Sequence, residues 1–148
     1  MGLEALQWDS LVRIAEEARA RYVDFNDAKP GEYFCGRAAV EMGYDLYRSL
    51  GKRAFERHVA CVVLSVTGES MGHTILVVGK GGKDIETRFE FGIKLDPTIH
   101  QFQQIHPQLR TLNRQCVFTD DYPKIYREGI KRDVFFQMEL KKKIAEMS

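Results

Sequence analysis

Apolar residues recur at three- and four-residue steps in the first third of the chain and then change rhythm. Leu11, Ile14, Ala15, Ala18 and Tyr22 share one face of a helix predicted over 3–22, capped at Asp9 or Ser10, with Glu16 and Glu17 turned to solvent. Trp8 reads as a packing anchor for that helix. Asn26, Asp27, Pro30 and Gly31 mark a loop, and Pro30 disfavours helix at Lys29. A second helix is predicted over 35–50. Ala38, Ala39, Met42 and Leu46 form its stripe, Gly51 its C-terminal stop, and Gly43 weakens its middle by roughly 1 kcal/mol against alanine. The segment 52–58 adds a short helical turn.

Beyond residue 58 the pattern becomes that of strands. Val59 to Val66 is β-branched and almost wholly apolar, as a strand buried on both faces requires. After a loop over 68–72, His73 to Val78 is a second apolar strand. A glycine-rich connection, 79–84, leads to 85–95, where Ile85, Thr87, Phe89, Phe91, Ile93 and Leu95 alternate with Glu86, Arg88, Glu90 and Lys94. That alternation predicts a third strand with one wet face, ended by Asp96-Pro97. A helical turn or loop over 98–107, a short strand over 115–119 and helices over 122–128 and 130–147 complete the expectation. Helices first, an antiparallel sheet in the middle and a helical tail make an α+β fold in one domain, 1–148.

Composition narrows the function classes. The 148 residues are 44% hydrophobic and 29% charged, with a formal net charge of +1. Such a chain can bury a core without staples, and it lacks the composition of a disordered segment. The balanced charge argues against nucleic-acid binding. The longest apolar run, 59–66, is far short of the roughly 20 residues a membrane helix needs. Three widely spaced cysteines, Cys35, Cys61 and Cys116, form neither a disulfide framework nor a paired metal knuckle. A reducing compartment is the simplest reading, and the expected location is the cytoplasm, or a target cell reached without a cleavable signal. Cys61 lies in the apolar strand and reads as core. His100, His106 and Cys116 lack the spacing of common zinc motifs, so no metal and no cofactor is expected. The glycines near 79–82 are followed by neither Lys-Ser/Thr nor a predicted helix, which excludes a phosphate loop. Lys141 to Lys143 read as a solvated helix face.

Three residues stand at element boundaries and fit one chemistry. Cys35 opens the second helix, where unpaired backbone N–H groups favour thiolate. His73 opens the second strand and supplies the base that takes the thiol proton and returns it to a leaving group. Asp96 ends the third strand and would hold the imidazole in one tautomer. A tight turn at 81–82 would set His73 opposite about residue 90 of the next strand, so contact with Asp96 requires a bulge or a longer connection. Gly36 leaves room for a substrate backbone beside the thiol. Ser70, Met71 and Gly72, with Glu69, precede His73 and are candidate substrate-lining residues. Each of the three boundary residues alone has a plainer reading, as core thiol, satisfied histidine or turn aspartate. Their joint order is what raises the enzymatic one.

The segments CGRAAVEMGYDLYRSLG, GHTILVVGKGG and FEFGIKLDPT together resemble the papain-like and transglutaminase-like cysteine superfamily, most of all its small bacterial toxin and effector domains of the glutamine deamidase type. The resemblance covers about residues 31 to 102. It implies N-terminal helices, a central antiparallel sheet and C-terminal helices, with Cys35 as nucleophile, His73 as base and Asp96 as its orienter. Lys29 and Pro30 stand where papain-type proteases carry an oxyanion glutamine, which favours a deamidase or transferase over a protease. The implied activity is acyl transfer on protein glutamine or asparagine side chains through a thioester. The implied partners are a target-cell protein as substrate and an immunity or adaptor protein. The alternatives are a cysteine protease or peptidoglycan amidase of the same fold, and a non-catalytic binding module that keeps it.

Overall fold

In the computed structural model, which describes residues 7–24, 34–68, 72–79, 84–103, 105–126 and 128–147, the amphipathic stripe of the first segment becomes helix α1, Trp8–Arg19. Leu11, Ile14, Ala15 and Ala18 are buried as their spacing requires, and a π-helical turn over Ala20–Asp24 follows. Trp8 is no anchor: it is 47% exposed, one turn too early to reach the core. Helix α2, Cys35–Leu50, buries Ala38, Ala39, Met42 and Leu46. It ends at Gly51, whose φ of 83° lies where side-chain-bearing residues are strained. Helix α3, Lys52–His58, leads directly into β1, Val59–Ser65.

The sheet has five antiparallel strands in the order β4-β3-β2-β1-β5. The central pair joins β1 to β2, Gly72–Val78, in an unbroken register from Val59↔Val78 to Ser65↔Gly72. Strand β3, Ile93–Leu95, pairs with β2 through Leu76↔Leu95, and β4, Val117–Phe118, covers the far edge. Strand β5, Glu128–Arg132, lies on the other side of β1 and is followed by helix α5, Val134–Met147.

Alternation along the strands divides the core in two. Cys61, Leu76, Val78 and Leu95 face the helical layer of α1, α2 and α5, with Leu46 and Phe136. Val62, Leu64, Ile75 and Val77 face Phe89, Phe102, Phe118, Tyr122 and Tyr126. A sheet covered on both sides explains why β1 and β2 carry near-continuous apolar runs.

Several expectations fail. The alternating segment 85–95 is not one strand. Ile85–Phe91 is helix α4, and only Ile93–Leu95 enters the sheet. The Asp84 carboxylate accepts the Thr87 N–H at 2.7 Å and caps the helix, while Gly92 ends it. Seven residues make fewer than two turns, too few for the apolar period to separate helix from strand. The wet face is also misassigned at Lys94, which is 2% exposed. Its ammonium donates to the carbonyls of Glu90 and Thr119 and lies 5.0 Å from the centre of the Phe89 ring. The second failure is β5, which takes the last residue of the helix expected over 122–128 and the first residues of the one expected over 130–147. Glu-Gly-Ile-Lys-Arg is polar because it forms a sheet edge. Gly129, at φ 62°, lies beside the register shift between Val63 and Ser65. The expected helix over 122–128 is only a 3-10 turn, Lys124–Tyr126. Among the described residues no helix is long and apolar enough to cross a membrane.

Candidate active site

Cys35 occupies the first position of α2, three and four residues before Ala38 and Ala39, so it continues the buried stripe and turns its sulfur toward the sheet. The first helical hydrogen bond runs from Ala38 N–H to the Phe34 carbonyl at 2.9 Å. The N–H groups of residues 35–37 therefore lie before the ladder starts, at the positive end of the helix. Phe34 supplies no side-chain cap to cover them. Cys35 is buried, at 9% exposure.

His73 is the second residue of β2 and is fully buried. The pairing Leu76↔Leu95 sets Asp96, the next residue after β3, level with the first half of β2. Because α4 takes 85–91 out of the ladder, the connection is long enough for this register, and the contact that a tight turn would have forbidden is made. His73 Nε2 donates to Asp96 Oδ2 at 2.7 Å, both side chains at 0% exposure. Tyr126 stacks on the imidazole at 4.5 Å between centres, and Phe102 meets it edge-on at 6.0 Å. The ring is thus held by aromatic walls on two sides and by a carboxylate at one nitrogen. Its Nδ1 closes no hydrogen bond among the described residues and is the nitrogen left for the thiol.

The electrostatics follow from this placement. Burial alone would push the Cys35 thiol up. The His73 imidazole, the Thr74 backbone N–H and the Gln101 amide outweigh it and hold the thiol below its ordinary value. Burial alone would likewise push His73 down, but Asp96 and then the Cys35 sulfur raise it to about 10. Both shifts favour a thiolate–imidazolium pair. By contrast, burial pushes the Cys61 thiol well up and the Cys116 thiol up to about 11, so neither is a nucleophile.

Two participants escaped the sequence. Gln101 lies on the 3-10 turn Ile99–Phe102, just beyond Asp96-Pro97-Thr98, and its Nε2 donates to Cys35 Sγ at 3.7 Å. Its Oε1 is buried and unpartnered among the described residues. Tyr122 donates its hydroxyl to Asp96 Oδ2 at 2.6 Å. Gln101 sat in a polar stretch without periodicity, and its nearness to Asp96 in the chain was the one available signal. Nothing local marked Tyr122.

Of the candidate substrate residues, Gly36 is exposed and lines a groove of about 530 Å³ between α2 and α5, with Arg37, Val40, Asp133, Phe135 and Lys142. Gly72 pairs with Ser65 as the first residue of β2, and a Cβ there would meet Val63 at 2.6 Å. Ser70 and Met71, with Glu69, lie outside the described residues. His106 bonds the Thr67 carbonyl at 2.6 Å and His100 contacts Arg19 at 3.4 Å, so neither forms a ligand set with Cys116. Among the described residues no group of three or more His, Cys, Asp or Glu is placed to hold a metal ion. No family model, no curated protein and no solved structure matches the chain.

Proposed function

We propose that this chain is a cysteine-dependent acyl-transfer enzyme that hydrolyses a carboxamide, most simply the side chain of a protein glutamine or asparagine. The Cys35 thiolate attacks the amide carbon, and the carbonyl oxygen takes the negative charge. The N–H groups at the start of α2 and the Gln101 amide are the donors that would receive that oxygen. Collapse of the tetrahedral intermediate breaks the C–N bond. The amine leaves as ammonia with the proton from His73, and a thioester to Cys35 remains. Water then attacks the thioester, gives its proton to His73 and releases the carboxylic acid, restoring the ion pair. Asp96 holds the imidazole in the tautomer with Nε2–H and supports its charge.

The observation that carries this reading is the convergence of Cys35, His73 and Asp96, from three separate elements, with a 2.7 Å charge-assisted bond buried behind a thiol of lowered pKa. The likeness of the motif segments to papain-fold deamidase toxins and effectors makes a target-cell protein the natural substrate.

The test has two parts. Iodoacetamide should alkylate Cys35 selectively. The rate should rise with pH before an ordinary thiol's would, because the thiolate forms at lower pH, and should bend again near pH 10 as His73 loses its proton. Incubation with candidate target proteins should add the mass difference between carboxamide and carboxylic acid, and Cys35→Ala should abolish it without unfolding the chain. Labelling no faster than free cysteine at every pH would exclude the enzymatic reading.

A further inference from the structure

The oxygen of Asp96 that accepts from His73 also accepts a second hydrogen bond. Tyr122, 2% exposed, donates to the same Oδ2 at 2.6 Å, whereas Oδ1 is buried and has no partner among the described residues. Two donors on one oxygen, 2.7 and 2.6 Å away, fix the rotation of the carboxylate, since either alone would leave it free to exchange its oxygens. Burial first, and then the neighbouring carboxylate, keep the Tyr122 phenol well above its ordinary pKa, so the group can only donate. The ring is fixed in turn by Phe118 at 5.5 Å, Phe89 at 5.8 Å and Tyr126 at 5.7 Å.

We propose that Tyr122 is a positioning residue of the site: its hydroxyl locks the Asp96 carboxylate onto His73 and so sustains the thiolate of Cys35 through two intervening groups. The inference rests on the acyl-transfer reading of the same site. A buried carboxylate is costly unless its lone pairs are met by donors, and among the described residues both donors meet Oδ2. Without the hydroxyl the carboxylate turns, the imidazolium loses support and the proton returns to sulfur. The other ionisable groups that face Asp96 are His73 from β2, His100 from the 3-10 turn after it, Cys116 before β4 and Tyr126, with Arg19 from α1 beside His100 and Cys116.

Tyr126 provides a matched control within the same cluster. Its hydroxyl is also buried, but it donates to the Ile99 carbonyl at 2.8 Å and leaves the carboxylate alone. Tyr122→Phe and Tyr126→Phe each delete one buried hydroxyl and keep the ring. The rate of iodoacetamide alkylation of Cys35 is measured from pH 4 to 10 for both and for the wild type, with urea unfolding alongside. Tyr122→Phe should move the acidic limb upward by about one pH unit, a roughly tenfold loss of labelling on that limb, while Tyr126→Phe, which keeps the ring stacked on His73 and removes a hydroxyl that meets the Ile99 carbonyl instead of the carboxylate, should move it clearly less. A merely structural hydroxyl would lower the urea midpoint in both variants and shift neither profile, and that result overturns the proposal, as does an equal shift in both. A second measurement needs no variant. In the wild type, the Tyr122 hydroxyl proton should change its NMR shift when Cys35 is alkylated, because the ion pair is then dissolved. An unresponsive resonance counts against the proposal. Wild-type labelling no faster than free cysteine is a different failure, since it removes the acyl-transfer reading itself and the role of Tyr122 with it.

Discussion

Gln101 is the side chain whose amide reaches the Cys35 sulfur, at 3.7 Å. Its amide donates to the sulfur of the resting site, and the same N–H is within reach of an oxygen bonded to the carbon that the sulfur attacks. Attack on a carbonyl needs such a donor, whereas displacement of iodide from iodoacetamide creates no oxyanion. Gln101→Ala should therefore slow acylation by p-nitrophenyl acetate about 10²–10³-fold, the usual loss for one oxyanion donor, while alkylation falls far less. Equal loss in both reactions would make Gln101 a support for the thiolate only. Cys35, His73 and Asp96 were legible because each is a chemically distinctive residue at the border of a recognisable element. Gln101 and Tyr122 were not, because a glutamine and a tyrosine in irregular backbone acquire a role only from what the fold sets beside them.

At the scale of elements, the packing of α2 on α5 explains the glycine in the middle of an otherwise strong helix. Gly43 is buried, and a Cβ there would meet the Phe136 ring at 2.6 Å. The gain of roughly 1 kcal/mol that alanine offers a helix interior competes with overpacking against a ring that is 3% exposed. Gly43→Ala should lower stability by about 1–3 kcal/mol in urea unfolding. Combining it with Phe136→Leu should cost less than the sum of the two single changes. Strict additivity would show that the ring moves aside freely. The elements with long apolar runs, α1, α2, β1 and β2, were all recoverable from periodicity. Helix α4 and strand β5 were not, since each is short, half polar and settled by a cap or a bulge rather than by its own stripe.

Across the whole molecule, the tail helix is tied to the site by Asp133. Its N–H donates to the Cys61 carbonyl at 3.0 Å, one carboxylate oxygen caps α5 at the Phe136 N–H, and the other accepts the Thr74 hydroxyl at 3.0 Å. Thr74 is in turn the β2 residue next to His73. Asp133→Ala should cost about 1–2 kcal/mol through the lost cap, measured by urea unfolding, and should lower Cys35 alkylation several-fold at neutral pH although it touches none of the three reacting groups. Unchanged alkylation with reduced stability would confine Asp133 to holding the helix.

The amino-acid order by itself determined the layered α+β character, the helix that begins at Cys35, the two central strands and the choice of Cys35, His73 and Asp96 as candidates. These follow from local periodicity, glycine and proline stops, and side-chain chemistry, all of which act over a few neighbours. Only the tertiary structure decided the strand order, the donation of Tyr122 to Asp96 and the approach of Gln101 to the thiol. Each of those depends on distances between residues remote in the chain, and such distances are set by burial on both faces of the sheet, which no short window of sequence contains.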